Sequence, residues 1–480
     1  MLQNCLPVQA QTLTLEPARQ THMRDWPALL SQDGVLGQLT RSLKSKCKLP
    51  RILPITFADR GQVNAWYSPS QHSITVDYTL MDMVYNVFYK DPRYRERAQA
   101  LALSTTRFFL LHEIGHGLID ELGVAYAGKN EDCADELAVI LSSYLAGSDG
   151  QKDAQAAAQW FLLMGWGKQQ DVTKVHFWDE HSFDLQRYFN ILVNLEAAKP
   201  GSVPELAGKV KADRQARARQ RWPGKLAAWG YHLRNSCQNL SPNIQPAPQS
   251  GKGTIGLSFE ETAEPDLQLI RTEMQKLPFA KHLQAFAQLF VLPRDLQVVF
   301  INTREPVCRY QREQHRVAIS YGWILDVGKF LGTQSTDGAQ ILKILGSVMT
   351  LELSIRLQQM LIEELQIPIT GEPEDAAVEL LTLAWGDNPG VIPLLMDAAN
   401  YFRWRAEANP FMLTYDFSSE DDLHHQRFLD LYMALYAFRP KDYEWVKGWV
   451  PESRLRRVTL EQPRKLKNWE QLVVPYVRRS

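Results

Sequence analysis

The sequence predicts an α+β fold in which one domain is written twice. Three observations carry this expectation. The chain has 480 residues, too long for one ordinary domain of ~100–200 residues. Two long segments align with each other at a constant offset. Within each segment, short β-branched runs come first and helical periodicities follow, without the strand–helix alternation of a parallel α/β sheet. The composition is that of a packed chain, since 45% hydrophobic residues against 22% charged ones sets disorder aside. Lys+Arg 53 against Asp+Glu 54 leaves a net charge of −1, so no global field exists to hold nucleic acid or an anionic membrane. No run approaches the ~18–20 consecutive apolar residues of a bilayer span, and no integral membrane segment is expected.

The duplication rests on identities. LPRILPITFADRGQVNAWYSPSQHSITVDY from Leu49 and LPRDLQVVFINTREPVCRYQREQHRVAISY from Leu292 align without a gap at an offset of 243. Arg51/Arg294, Phe57/Phe300, Tyr67/Tyr310, His72/His315 and Tyr78/Tyr321 coincide, and the same offset reaches Gly128/Gly371, Glu131/Glu374 and Ala134/Ala377. Further on the offset becomes 240, pairing Gln186-Arg187 with Gln426-Arg427, and Lys225 and Trp229 with Lys465 and Trp469. Chance matching at ~6% per position cannot sustain one register over so many anchors. The expected organisation is a first domain at 1–240, a linker at 241–256 and a second, degenerate copy at 257–480. The linker assignment follows the Pro, Gln, Ser and Gly content of Ser241–Gly256.

In copy one, strands are expected at Ile52–Phe57, Asn64–Tyr67 and Ser73–Asp77, making a short mixed sheet. The strand region before the long helix reads equally as a sheet edge for pairing an extended substrate or as an ordinary edge. A helix follows over Ala98–Glu121, with Leu103, Leu110, Leu111, Ile114 and Leu118 spaced as one buried stripe. Glu131–Leu145 and Leu185–Glu196 are expected to be helical as well.

Chemistry concentrates on that long helix. His112-Glu-Ile-Gly-His116 places two imidazoles four residues apart, on one face and a turn apart, where both can reach one cation. Glu113, one step round the helix, can act on water at that metal, which is the physical content of HExxH in zinc hydrolases. Glu131-Asp-Cys-Ala-Asp135 opens the next helix, and Gly128 permits the turn that brings it back across the first. Two histidines and one carboxylate are a standard catalytic zinc set with one open position. Glu131 is the favoured third ligand and Asp135 the alternative; Asp135 is otherwise placed to accept the remaining ring N–H of a ligating histidine. One zinc per chain is expected, because copy two reads Ile355-Arg-Leu-Gln-Gln359 where copy one reads HEIGH, and Val378 replaces Asp135. The residues lost together are those that metal chemistry needs and packing does not.

A second polar cluster, Trp178-Asp-Glu-His181-Ser-Phe-Asp-Leu-Gln186-Arg187, divides the same way. Gln186-Arg187 persists in copy two and reads as structural, an Arg bonding carboxylates or helix ends. His181 is replaced by Asp421, which makes His181 the candidate for stabilising the oxyanion of a tetrahedral intermediate. The basic stretch Lys209–Lys225 lacks interleaved aromatics and reads as a solvated helix face.

HEIGHGLIDELGVAYAGKNEDCADELA and WDEHSFDLQRYFN resemble the two signature blocks of a bacterial family of putative metallopeptidases, a domain of unknown function. The resemblance covers roughly residues 20–240 and, more weakly, copy two. It implies a zincin-like fold and zinc-dependent hydrolysis of a peptide or protein substrate. Glu-x-x-Ala-Asp after HExxH is also similar to the third-ligand helix of gluzincins, which implies Glu131 as ligand and Asp135 behind it. Two other readings stay open: a metal-binding regulatory or interaction protein without turnover, and a zinc amide hydrolase acting on a non-protein, cell-wall substrate. Oligomeric state is open too. Five widely spaced cysteines make no disulfide scaffold but leave one or two bridges open. The N-terminus has neither the basic nor the apolar region of a signal peptide. Val8-Gln9-Ala10 could be the remnant of a cleavage site, so the compartment is periplasmic or secreted if the start lies upstream, and cytoplasmic otherwise.

Overall fold

The computed structural model describes residues 12–19, 25–168, 183–206, 208–237, 240, 251–408 and 424–478. Among these, 12–240 and 251–478 form separate compact units, one per copy. Copy one runs β1 (Leu13–Leu15), α1 (Asp25–Gln32), α2 (Gly34–Lys46), β2 (Ile55–Ala58), β3 (Ala65–Ser68), β4 (Ser73–Asp77), α3 (Tyr78–Lys90), α4 (Ala98–Glu121), α5 (Asn130–Lys168), α6 (Asp184–Ala198) and α7 (Ala212–Leu233). Copy two repeats it as β5 (Ile255–Phe259), α8 (Pro265–Gln275), α9 (Phe279–Leu289), β6 (Leu296–Ile301), β7 (Cys308–Gln311), β8 (Arg316–Ser320), α10 (Tyr321–Gln334), α11 (Gly338–Glu364), α12 (Pro373–Trp385), α13 (Ile392–Ala408), α14 (His424–Phe438) and α15 (Glu452–Val473). The class is therefore α+β with a duplicated domain. β5 begins at Ile255, inside the stretch read as linker.

Each copy has one small mixed sheet, in the orders β1-β2-β4-β3 and β5-β6-β8-β7. The first three strands of each order are parallel, and the last pairs antiparallel as an edge. The register repeats as well: Ile55 faces Ile74, and its equivalent Val298 faces Val317. β2 starts at Ile55 rather than Ile52 because Pro54 has no N–H for the ladder of a central strand. β1 was not expected. Three residues carry no periodicity, and this strand exists only through its long-range pairing with β2.

Local chemistry sets the boundaries. Asp77 ends β4 and caps α3, accepting from the Thr79 N–H, and its other oxygen takes the Arg60 and Gln62 N–H groups of the β2–β3 loop. Asp33 caps α2 through one oxygen and binds Arg107 of α4 through the other, while Arg107 also grips Asp153 of α5 with two nitrogens. α5 is longer than expected and is interrupted at Gly147, whose φ of 60° only glycine adopts readily. In copy two the same break, at Gly390, falls between α12 and α13.

α4 is the core helix. Leu110, Leu111, Ile114 and Leu118 have no exposed surface, as expected, whereas Leu103, also expected in the stripe, is only partly buried, and Thr105, Thr106 and Phe108 on other faces are fully buried. The helix is enclosed by α3, α5, β3 and β4, so burial runs all round rather than along one stripe. Its equivalent α11 is long and apolar enough to cross a bilayer by composition, but occupies the same core position in copy two, against β7, β8, α10, α12 and α13.

Candidate metal centre

The centre is built where α4 and α5 cross. Gly115 lies in the contact, since a Cβ there would meet the Ala134 carbonyl oxygen at 3.3 Å and the helices would have to part. Gly128, at φ 79°, makes the turn that opens α5, and Gly371 does the same in copy two at φ 83°. With the helices this close, the first turn of α5 lies over the HEIGH turn of α4.

Three donor atoms converge there. His112 Nε2 is 3.0 Å from His116 Nε2, and Glu131 Oε2 is 3.1 Å from each. His112 and Glu131 are buried, and His116 is partly so. Asp135, one turn beyond Glu131, accepts from His112 Nδ1–H at 2.8 Å. Arg187 of α6 grips the same carboxylate with two nitrogens, at 2.7 and 2.8 Å, while its guanidinium stacks over Phe161. Burial alone would raise the Asp135 pKa, but Arg187 and His112 hold it well below the usual carboxylate range. Burial would lower that of His112, yet Asp135, Glu131 and Glu113 outweigh it and push the ring up to about 10.

These atoms fit a metal. With its Nδ1–H given to Asp135, His112 presents the Nε2 lone pair to another imidazole nitrogen and to a carboxylate oxygen. Such a convergence needs a cation or an added proton at its centre. Ligands ~2.0–2.1 Å from a tetrahedral zinc stand about 3.3 Å apart, close to the triangle found here. Glu113 is buried beside it, its pKa raised by desolvation, and its Oε2 accepts the backbone N–H of Tyr67 at 2.7 Å. Tyr67 lies on β3, the antiparallel edge of the sheet.

Of the expected site residues, the fold thus brings together His112, Glu113, His116, Glu131 and Asp135. His181 lies outside the described residues. Arg187 was visible as a repeated Gln-Arg pair, but its partner was not. In copy two, Arg427 stands at the Arg187 position and, with Val378 in place of Asp135, turns to Glu374, the equivalent of Glu131. Arg356, at the Glu113 position, also reaches Glu374, at 3.1 Å, together with Glu352 at 3.2 Å and Gln359 at 3.3 Å. Guanidinium–carboxylate pairs therefore fill the place of the donor triangle.

Other repeated anchors acquire structural explanations. Glu136 on α5 pairs with Lys225 and accepts from the Trp229 indole, and Glu379 does the same with Lys465 and Trp469, tying the last helix to the body of each copy. A second group with metal-type residues, His72, Asp120 and Glu121, lies at the far end of α4. There Glu121 already pairs with Arg51 and His72, and Tyr67 O–H donates to both carboxylates. Copy two keeps this latch as Arg294, Tyr310, His315 and Glu364, and both histidines adopt positive φ, 51° and 49°.

An α+β domain in which two helix-borne histidines and a carboxylate converge beside a buried glutamate has the donor set of a metal-binding domain. The chain belongs to the family described as "Putative metallopeptidase", whose model matches residues 15–233 and again 259–473. A metal cofactor goes with that family. No curated protein and no solved structure matches the chain.

Proposed function

We propose that copy one is a zinc-dependent peptidase centre in which His112, His116 and Glu131 hold the ion and Glu113 is the general base. The observation that carries this reading is the donor triangle, with His112 oriented from behind by Asp135 and Glu113 adjacent. A bound zinc ion supplies Lewis acidity, polarising a scissile carbonyl and acidifying water. Glu113 takes the proton from the attacking water and returns it to the leaving amine. Its burial raises its proton affinity toward that task, and the Tyr67 N–H fixes one of its oxygens. Asp135 and Arg187 hold His112 in the tautomer that leaves Nε2 free to ligate. The outward edge of β3, whose Tyr67 N–H turns to Glu113, favours an extended peptide as substrate, because a strand adding there would lie alongside the base. His181 stays the proposed oxyanion partner.

Copy two is proposed to be metal-free and non-catalytic. Ile355 and Gln359 replace both histidines, and the Arg356 guanidinium replaces the base and pairs with the surviving Glu374. The test is metal content and peptide hydrolysis measured on wild type and on His116→Ala. Wild type should bind zinc and hydrolyse; His116→Ala should lose both. A His116→Ala protein that keeps its zinc overturns the ligand set.

A further inference from the structure

Copy one is closed at its base by a contact outside the metal centre. Cys47, following α2, and Cys237, following α7, face each other across an antiparallel bridge although 190 residues separate them. The Lys48 N–H donates to the Ser236 carbonyl at 2.6 Å, so the two cysteines form a non-hydrogen-bonded pair, the kind in which facing side chains come closest. Both are buried, at 3% exposure each, and their Sγ atoms stand 2.7 Å apart. Two non-bonded sulfurs do not fit at that separation, whereas facing positions of an antiparallel pair lie within the ~4.4–6.8 Å Cα spacing that a disulfide spans.

Copy two supplies an internal control. The equivalent positions, Phe290 and Val477, form the same antiparallel bridge. The register is the same too, with Val291 N–H donating to the Tyr476 carbonyl and Arg478 N–H to the Leu289 carbonyl, each at 2.9 Å. The duplicated fold itself pairs these two positions, so the sulfurs do not create the contact. Where copy two fills it with an apolar pair, copy one places two thiols in bonding register.

We propose that Cys47 and Cys237 form a disulfide that staples copy one shut around its metal centre. The bond arises by exchange with a disulfide donor, R–S–S–R, of a thiol-oxidising compartment. One cysteine thiolate attacks the donor and releases RSH, and the second displaces the other RSH from the mixed disulfide. The two cysteines lose two electrons and two protons, all of which end on the two RSH products. The loop so closed contains every residue of the proposed site from His112 to Arg187. Of the other cysteines among the described residues, Cys133 and Cys308 are thiols.

The test uses the full chain, refolded or produced with a glutathione disulfide buffer, then denatured without reductant and titrated with a thiol reagent. Three of the five thiols should react, rising to five after reduction. A non-reducing digest should yield one peptide pair joining the Cys47 and Cys237 segments. Reduction should lower the Tm of the wild type by roughly 4–20 °C. The double variant Cys47→Phe/Cys237→Val, which installs the copy-two pair, should stay folded with a reductant-independent Tm. Five reactive thiols before reduction, or a bridge joining other cysteines, overturns the proposal.

Discussion

Asp135→Asn isolates the carboxylate behind the proposed metal site from the one within it. The change keeps shape and removes charge. Asp135 accepts three hydrogen bonds, one from His112 and two from Arg187. An asparagine has one acceptor oxygen. Placed at the Oδ1 position, it can still serve His112 Nδ1–H and one Arg187 nitrogen, but its NH2 then faces the Arg187 Nε–H. Turned over, it abandons His112 instead. In the first orientation one buried donor loses its partner and in the second two do, at about 1–3 kcal/mol for each donor. Coupled to the histidine, this corresponds to a zinc affinity lower by roughly 10–100-fold, the usual effect of losing such an orienting group. Glu131→Gln should cost more, because it replaces the oxygen that stands 3.1 Å from both imidazole nitrogens with a neutral amide. The assay is competition for zinc against a chromophoric chelator at fixed pH, with thermal melts confirming that each variant is folded. If Asp135→Asn releases zinc more completely than Glu131→Gln, the ligand assignment is reversed; wild-type affinity in Asp135→Asn would remove its orienting role.

Metal analysis of purified protein should return about one zinc per chain, and two would refute a metal-free copy two. Glu113→Gln should retain zinc and reduce peptide hydrolysis by at least ~100-fold, the usual scale for losing a general base, so unchanged turnover would exclude Glu113 as base. Zinc binding at pH 7–8 should release a proton from His112, whose ring in the metal-free protein is pushed up to about 10. Calorimetry in two buffers of different ionisation enthalpy reads that proton directly. The sign for the metal-free protein follows from the same shift: the charged ring contributes stability fully below about pH 6.5, lost as pH rises toward 10, while zinc affinity falls as pH falls. Glu136→Ala takes the carboxylate from the partly buried Lys225 ammonium, which keeps Asn194, and the acceptor from the buried Trp229 N–H, and should cost copy one about 3–5 kcal/mol in urea unfolding.

Much of this was legible in the residues because it is local or repeated. The HEIGH spacing lies within one helical turn, so a single helix puts both imidazoles on one face whatever surrounds it. Gly128 and Gly371 announced a turn that needs positive φ, and both have it. The duplication needed no structure, since two registers of identities cannot arise by chance. Less visible was α4, whose apolar positions suggested one buried stripe although all its faces are enclosed. Enclosure depends on how many neighbours pack round a helix, which its own periodicity does not encode. β1 was invisible for the related reason that three residues become a strand only when β2 offers its edge.

By itself the sequence determined the class, the repeat, the helix that carries the histidines and the pair of acids that follow them. Only the tertiary structure decided which acid faces the imidazoles. Glu131 and Asp135 are one turn apart on the same helix, and the crossing of α4 over α5 at Gly115 aims the first at both Nε2 atoms and the second at a single Nδ1. The same holds for Arg187, whose partner lies 52 residues away, and for the guanidinium of Arg356 that takes the corresponding place in copy two. Such pairings are set by the angle and closeness of packed helices. Those are properties of the assembled core, and residue spacing along the chain does not specify them.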